Sequence, residues 1–170
     1  MAVRAIIRDK RLEANVKRVT SIKAAGEWCG AKASDRVLLD ADDRQRRRIV
    51  MTSESGLAFL LDEPSPVMLR DGDGLLLDDG AIVRVSGMAE PLIEAAPPTP
   101  PALIRLAWHL GNRHIDIQLV GGRIRIRRDH VLRDMLEGLG ATVAAVDAPF
   151  EPEAGAPVQI PADGGRGRGV

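Results

Sequence analysis

Two of the chain's three histidines, His109 and His114, fall within Trp108-His109-Leu110-Gly111-Asn112-Arg113-His114. Imidazole is the commonest side-chain ligand for divalent transition metals. The spacing is not the H-E-x-x-H that sets two ligands and a general base on one helical face, so the block points to holding a metal rather than to metal catalysis. His114 is the leading candidate because it follows a Gly-Asn helix stop and precedes an alternating segment, which presents its ring from a connection. His130 follows Asp129, a predicted helix N-cap, where the dipole keeps an imidazole neutral, as ligation requires, while opposing a bound cation. His109 lies one residue from Leu110 and three from Leu106, so it flanks an apolar stripe where packing is the ordinary role. One imidazole binds a metal weakly, but a twofold axis supplies the same residue twice. Two such rings with water could hold nickel, copper or zinc in an open, releasable site.

The elements that position these residues follow from periodicity and punctuation. Thr99 is a predicted N-cap followed by Pro100 and Pro101 at the first helical positions. Leu103, Leu106, Ala107 and Leu110 recur at helical spacing, and Gly111 is the expected stop. Ile115 to Val120 and Arg123 to Arg127 alternate as two strands joined by Gly121-Gly122, which sets Val120 opposite Arg123 and continues to Asp116 opposite Arg127. Asp129 caps a second helix with Val131, Leu132, Met135, Leu136 and Leu139 as its stripe and Gly140 as its stop. With a strand at Leu92-Ile93 before and one at Ala141 to Val146 after, the order is β-α-β-β-α-β, the split arrangement of a ferredoxin-like domain.

Upstream, short apolar runs at Val37-Leu39, Arg48-Met51, Leu57-Leu61, Val67-Leu69, Leu75-Leu77 and Ile82-Val85 predict a β-rich domain. The expected class is therefore α+β with two domains: a barrel- or sandwich-like domain over 1–86, a ferredoxin-like domain over 87–150, and a Pro-, Gly- and Arg-rich disordered tail over 151–170. The boundary is set near Ser86-Gly87 rather than at the Pro97–Pro101 cluster, because the later cut would remove the first strand of the second domain.

Composition narrows the function classes. Lys plus Arg and Asp plus Glu are both 24, so no net field draws nucleic acid or anionic lipid. The run Asp42-Asp43-Arg44-Gln45-Arg46-Arg47-Arg48 reads as a solvated turn, with docking of an acidic partner protein as its functional alternative. No aromatic interleaves its arginines as a nucleic-acid stacking platform would require. Asp71-Gly72-Asp73-Gly74 lacks the later ligands of a calcium loop and reads as a tight turn. No Ser or Cys sits in a nucleophile motif, and the single Cys29 cannot form an internal disulfide. Met1 to Lys10 interleaves charges with short apolar pairs, and no apolar run approaches the roughly 20 residues of a membrane helix. A cytoplasmic protein is expected.

The chain resembles the UreE urease accessory protein family, a group of nickel metallochaperones. The resemblance rests on the Asp42–Arg48 run, Leu69-Arg70-Asp71-Gly72-Asp73, His109-Leu110-Gly111-Asn112-Arg113-His114, Asp129-His130-Val131-Leu132, Asp134-Met135-Leu136 and Pro149-Phe150-Glu151-Pro152-Glu153. It implies a peptide-binding type of N-terminal domain and a ferredoxin-like domain that binds metal and forms a homodimer. The family's dimer-interface nickel ligand matches His114, and a further ligand matches His130, whereas the family's histidine two positions before it is Arg128 here. The His-rich tail of many relatives is replaced by Gly, Arg and Pro, which implies few ions per dimer.

The resemblance thus implies a homodimeric carrier that delivers Ni²⁺ to apo-urease with other accessory proteins and performs no turnover. Cu²⁺ and Zn²⁺ are expected to bind the same imidazoles in vitro. Two other classes are carried forward. One is a protein-binding scaffold of the maturation complex with incidental metal binding. The other is a small metal-dependent hydrolase, which lacks a Glu base near His109 or His114 in sequence.

Overall fold

The computed structural model describes Val16 to Ala154. Six strands, β1 Lys17–Lys23, β2 Asp35–Leu39, β3 Gln45–Thr52, β4 Ala58–Met68, β5 Gly74–Leu77 and β6 Ile82–Gly87, form one sheet in the order β2-β6-β5-β1-β4-β3. The sheet curls so that its two edge strands meet. Glu54 just beyond β3 donates its N–H to the Arg36 carbonyl of β2 at 2.8 Å, and their side chains form a two-pronged ion pair. Alternate residues fill the interior: Val37 and Leu39, Ile49 and Met51, Phe59 and Leu61, Leu75 and Leu77, Val83 and Val85. This period-two burial is what the alternating pattern of a half-buried strand demands.

Three sequence expectations change here. β1 is not among the expected strands, because its two apolar residues, Val19 and Ile22, are three apart rather than alternating, yet it lies mid-sheet, parallel to β4 and antiparallel to β5. The expected strands Leu57-Leu61 and Val67-Leu69 are one element, because Glu63-Pro64-Ser65-Pro66 forms a bulge in β4 opposite Arg47 rather than a turn. The run expected to be a solvated turn contains a one-turn helix, α1 Ala41–Arg44, capped by the Asp40 carboxylate. Its Asp43 and Arg44 are buried, while Asp42 and, on β3, Gln45 to Arg48 are exposed.

The second sheet comprises β7 Ala89–Ala96, β8 Gln118–Val120, β9 Arg123–Arg127 and β10 Thr142–Pro149 in the order β10-β7-β9-β8, all neighbours antiparallel. Helices α2 Pro100–Gly111 and α3 His130–Gly138 cover one face. This is the ferredoxin-like arrangement, with each helix making a crossover between parallel strands that are not neighbours. Thr99 and Asp129 cap the helices as expected, accepting from the amides of Ala102 and Leu132. Ile93, Ala95, Leu106, Leu110, Ile124, Ile126 and Leu136 form the core between sheet and helices. The hairpin register holds from Val120 opposite Arg123 to Gln118 opposite Arg125, but Ile115 to Ile117 lie outside the ladder, so β8 is shorter than expected. The edge there is taken by another segment: Glu153 donates its N–H to the Ile117 carbonyl at 2.7 Å and accepts the Leu119 N–H on its carboxylate.

The two sheets meet at α1. Ala41, Leu92 and Phe150 form a small buried cluster on the sheet face away from the helices. Arg44, fully buried, donates to the Phe150 carbonyl and pairs with Glu151 at 3.0 Å. Glu151 also accepts the Asp71 N–H at 2.7 Å. Gly87 lies at this junction because a Cβ there would come within 2.7 Å of the Pro149 side chain. No helix among the described residues is long and apolar enough to cross a membrane.

Candidate functional site

His114 is the only non-glycine among the described residues with positive φ, at 54°. The cause is the way α2 ends. The His114 N–H bonds to the Gly111 carbonyl at 2.9 Å and the Ile115 N–H to the Leu110 carbonyl at 3.1 Å. These paired bonds, spanning three and five residues, form a Schellman stop, whose left-handed residue is usually glycine because a Cβ there is disfavoured. Leu110 and Ile115 pack into the same core, which supplies the motif's usual apolar contact. Gly111, expected to end the helix, is instead its last helical residue. The stop sits three residues on, and a histidine occupies the place of the glycine.

The consequence is an exposed ring on a fixed backbone. His114 lines an open pocket of about 290 Å³ with Ile115, Asp116, Arg127, Arg128, Asp129 and Leu132. Its opposite wall is the first turn of α3, the same turn that begins with His130. His130 is exposed, while His109 is half-buried on α2 with its ring edge-on to Trp108 at 4.9 Å between centroids. His114 and the α3 turn are therefore brought together, and His109 faces its own helix neighbour. Among the described residues no three His, Cys, Asp or Glu side chains cluster closely enough to hold a metal ion. The chemistry of the donors suits a borderline cation such as nickel, but among the described residues too few of them come together to enclose it.

Two features at the site escape sequence reasoning. Ile104 and Trp108 are 72% and 61% exposed, one helical turn apart on the α2 face opposite the core stripe. Their i, i+4 spacing was the available signal, since both fall off the stripe that buries Leu106 and Leu110. Arg127 is the other. Its Nη2 meets Asp42 of α1 at 2.5 Å, its Nε lies 3.6 Å from Glu90 of β7, its Nη1 lies 3.8 Å from Asp116, and its guanidinium stacks 5.3 Å from the Phe150 ring centre. These three carboxylates hold the guanidinium firmly protonated against its partial burial. Arg128 pairs with Asp147 at 3.5 Å.

Fold and site together define a class: a two-domain α+β protein whose curled β domain is followed by a ferredoxin-like domain with an imidazole displayed at a helix stop. Comparison with known proteins gives the family. Residues 15–86 match the model of the UreE urease accessory protein N-terminal domain, and residues 90–167 match that of its C-terminal domain. The urease accessory protein UreE of Rhodopseudomonas palustris strain BisB18 is 52% identical over 139 residues, 82% of this chain and 65% of that protein. The UreE of Bradyrhizobium sp. strain BTAi1 is 52% identical over the same share of this chain and 67% of its own length. That of Chelativorans sp. strain BNC1 is 48% identical and covered over 85% of its length. The chain belongs to the UreE urease accessory protein family, and it spans about two thirds of the length of the first two of these relatives.

Proposed function

We propose that the protein is a nickel carrier for urease assembly, in which His114 from each of two protomers holds one Ni²⁺ across a twofold axis. The observation that carries this reading is the left-handed backbone of His114. A strained conformation persists where the surroundings over-determine it, and such positions concentrate at functional sites. Here the strain sets an exposed imidazole at a helix end where glycine would be cheaper. The shortage of donors among the described residues and the exposed Ile104–Trp108 face of the same helix support completion of the site by a second copy. His130 supplies a further ligand from the α3 turn, and His109 serves the passage of the ion to or from the site.

A carrier must release its cargo, and a shell of imidazole and water exchanges more readily than a closed thiolate cage. Cu²⁺ and Zn²⁺ bind the same rings in vitro, since affinity at such donors does not select nickel. The recipients are apo-urease and the other accessory proteins, the compartment is the cytoplasm, and the protein performs no turnover. The domain limits that go with this reading are 1–86 for the β domain, 87–150 for the metal and dimer domain, and 151–170 for the tail, whose Glu151 and Glu153 are packed rather than disordered and whose residues 155–170 lie outside the described residues.

Calorimetry with Ni²⁺, run beside analytical ultracentrifugation, tests it. The expected result is one tight site per dimer, lost in His114→Ala while the dimer persists. One ion per monomer, unaffected by that substitution, overturns it. A scaffold with incidental metal binding is favoured by one feature, the exposed Arg46 to Arg48 on edge strand β3. Charge reversal there would abolish urease maturation with Ni²⁺ affinity unchanged if that reading holds.

A further inference from the structure

We infer that Arg127 is a positioning residue for His114, fastening the connection that follows His114 to the α1 turn of the N-terminal sheet. The inference rests on the proposed role of His114 as a metal ligand. Its basis is the convergence of three segments on one side chain. Asp116, two residues beyond His114, reaches Arg127 from the connection that leaves the ladder before β8. Asp42 reaches it from α1, and Glu90 reaches it from β7 while also accepting the Ala41 N–H at 2.8 Å. The Phe150 ring closes the fourth side.

Each of these ion pairs is partly exposed and weak by itself. A planar guanidinium with five donors in a fixed fork can nonetheless hold three carboxylates in one relative arrangement, which a point charge cannot. The need for such a fixture is local. Ile115 to Ile117 have no partner strand in the ladder, so the backbone after the left-handed His114 relies on the helix stop, on the packing of Ile115 and Ile117 against the core, on Glu153 at Ile117 and Leu119, and on Arg127. The same Arg127 lines the pocket into which His114 opens. Because Asp42 belongs to the other sheet's turn, a partner that moves α1 would be felt at His114 through this one side chain.

Charge and geometry make opposite predictions, which permits a clean test. Removing a cation beside a cation site should tighten Ni²⁺ binding if Arg127 acts only through its field. If it positions His114, Arg127→Gln weakens Ni²⁺ affinity by about tenfold, the low end for groups that orient a metal ligand. Arg127→Lys, which keeps the charge without the fork, is expected to stay weak. Ring ¹⁵N resonances of His114 in the metal-free full-length chain are expected to shift and broaden in both variants and in Asp42→Asn, whose carboxylate is exposed and on the far arm. Asp42→Asn keeps the test available if an Arg127 variant fails to fold. Unchanged or tighter Ni²⁺ binding in Arg127→Gln, wild-type behaviour of the Lys variant, or His114 resonances unmoved in Asp42→Asn overturns the inference. Absence of a His114-dependent site in the wild type instead defeats the carrier reading, which the metal-free resonances do not depend on.

Discussion

Ile115 donates its N–H to the carbonyl of Leu110 at 3.1 Å across a turn whose left-handed residue is His114. That bond makes the imidazole's location a backbone property. The ring is displayed because the chain must reverse at that residue to bury Leu110 and Ile115 together.

A trade between stability and binding follows. His114→Gly relieves the left-handed penalty and is expected to raise unfolding free energy by about 1 kcal/mol while removing the proposed nickel site. His114→Ala keeps the Cβ and loses the site without that gain. Urea unfolding of the metal-free variants, beside Ni²⁺ calorimetry, separates the two effects, and a destabilised glycine variant would contradict the assignment of strain.

The exposed face of α2 gives a second prediction. Ile104→Glu and Trp108→Glu each place a carboxylate where a dimer would bury apolar surface worth about 2 kcal/mol per side chain. Sedimentation is expected to show at least a tenfold weaker dimer in either variant, with Tm of the monomer almost unchanged because both positions are solvent-exposed in the single chain. Wild-type association in both variants would remove this face from the interface.

Arg44 is a separate matter from its charged neighbours. With Arg44 fully buried against the Phe150 carbonyl and Glu151, Arg44→Ala strands those acceptors and leaves a void, costing about 3 kcal/mol of stability in urea. Arg47→Ala, three residues on and exposed, is expected to change stability by less than about 0.5 kcal/mol.

Acid sensitivity is expected from Glu94. Hydrogen bonds from Arg123 and then Arg125 hold its carboxyl below the ordinary range. A carboxyl whose folded pKa is depressed contributes stability that is present above its unfolded pKa, about 4.3, and disappears as pH falls through the lower folded value. Glu94→Gln should therefore cost about 1 kcal/mol at pH 7 and flatten the loss of stability below about pH 4. Parallel acid unfolding curves for the two proteins would show that Glu94 is not a source of the pH dependence.

The relation of chain to fold differs from element to element. The Gly121-Gly122 hairpin was legible because its turn chemistry and alternation are local, and so were the Thr99 and Asp129 caps, whose oxygens reach amides three residues away. Asp42 to Arg48 misled because a run of charge carries no sign of burial. Arg44 finds its partner at Glu151, 107 residues along the chain, and nothing near Arg44 announces it.

Residue types and local spacing were sufficient to determine the α+β class and the β-α-β-β-α-β order, and they singled out His114 as the imidazole to propose as a ligand. Tertiary structure decided the rest: that the left-handed stop after α2 falls at His114 rather than at Gly111, that Arg44 is interior, and that Arg127 joins three segments. The physical reason is range. Caps, turns and amphipathic stripes are satisfied within a few residues, whereas a helix stop that depends on burying Ile115, or a guanidinium shared by Asp42, Glu90 and Asp116, exists only after distant parts of the chain have packed.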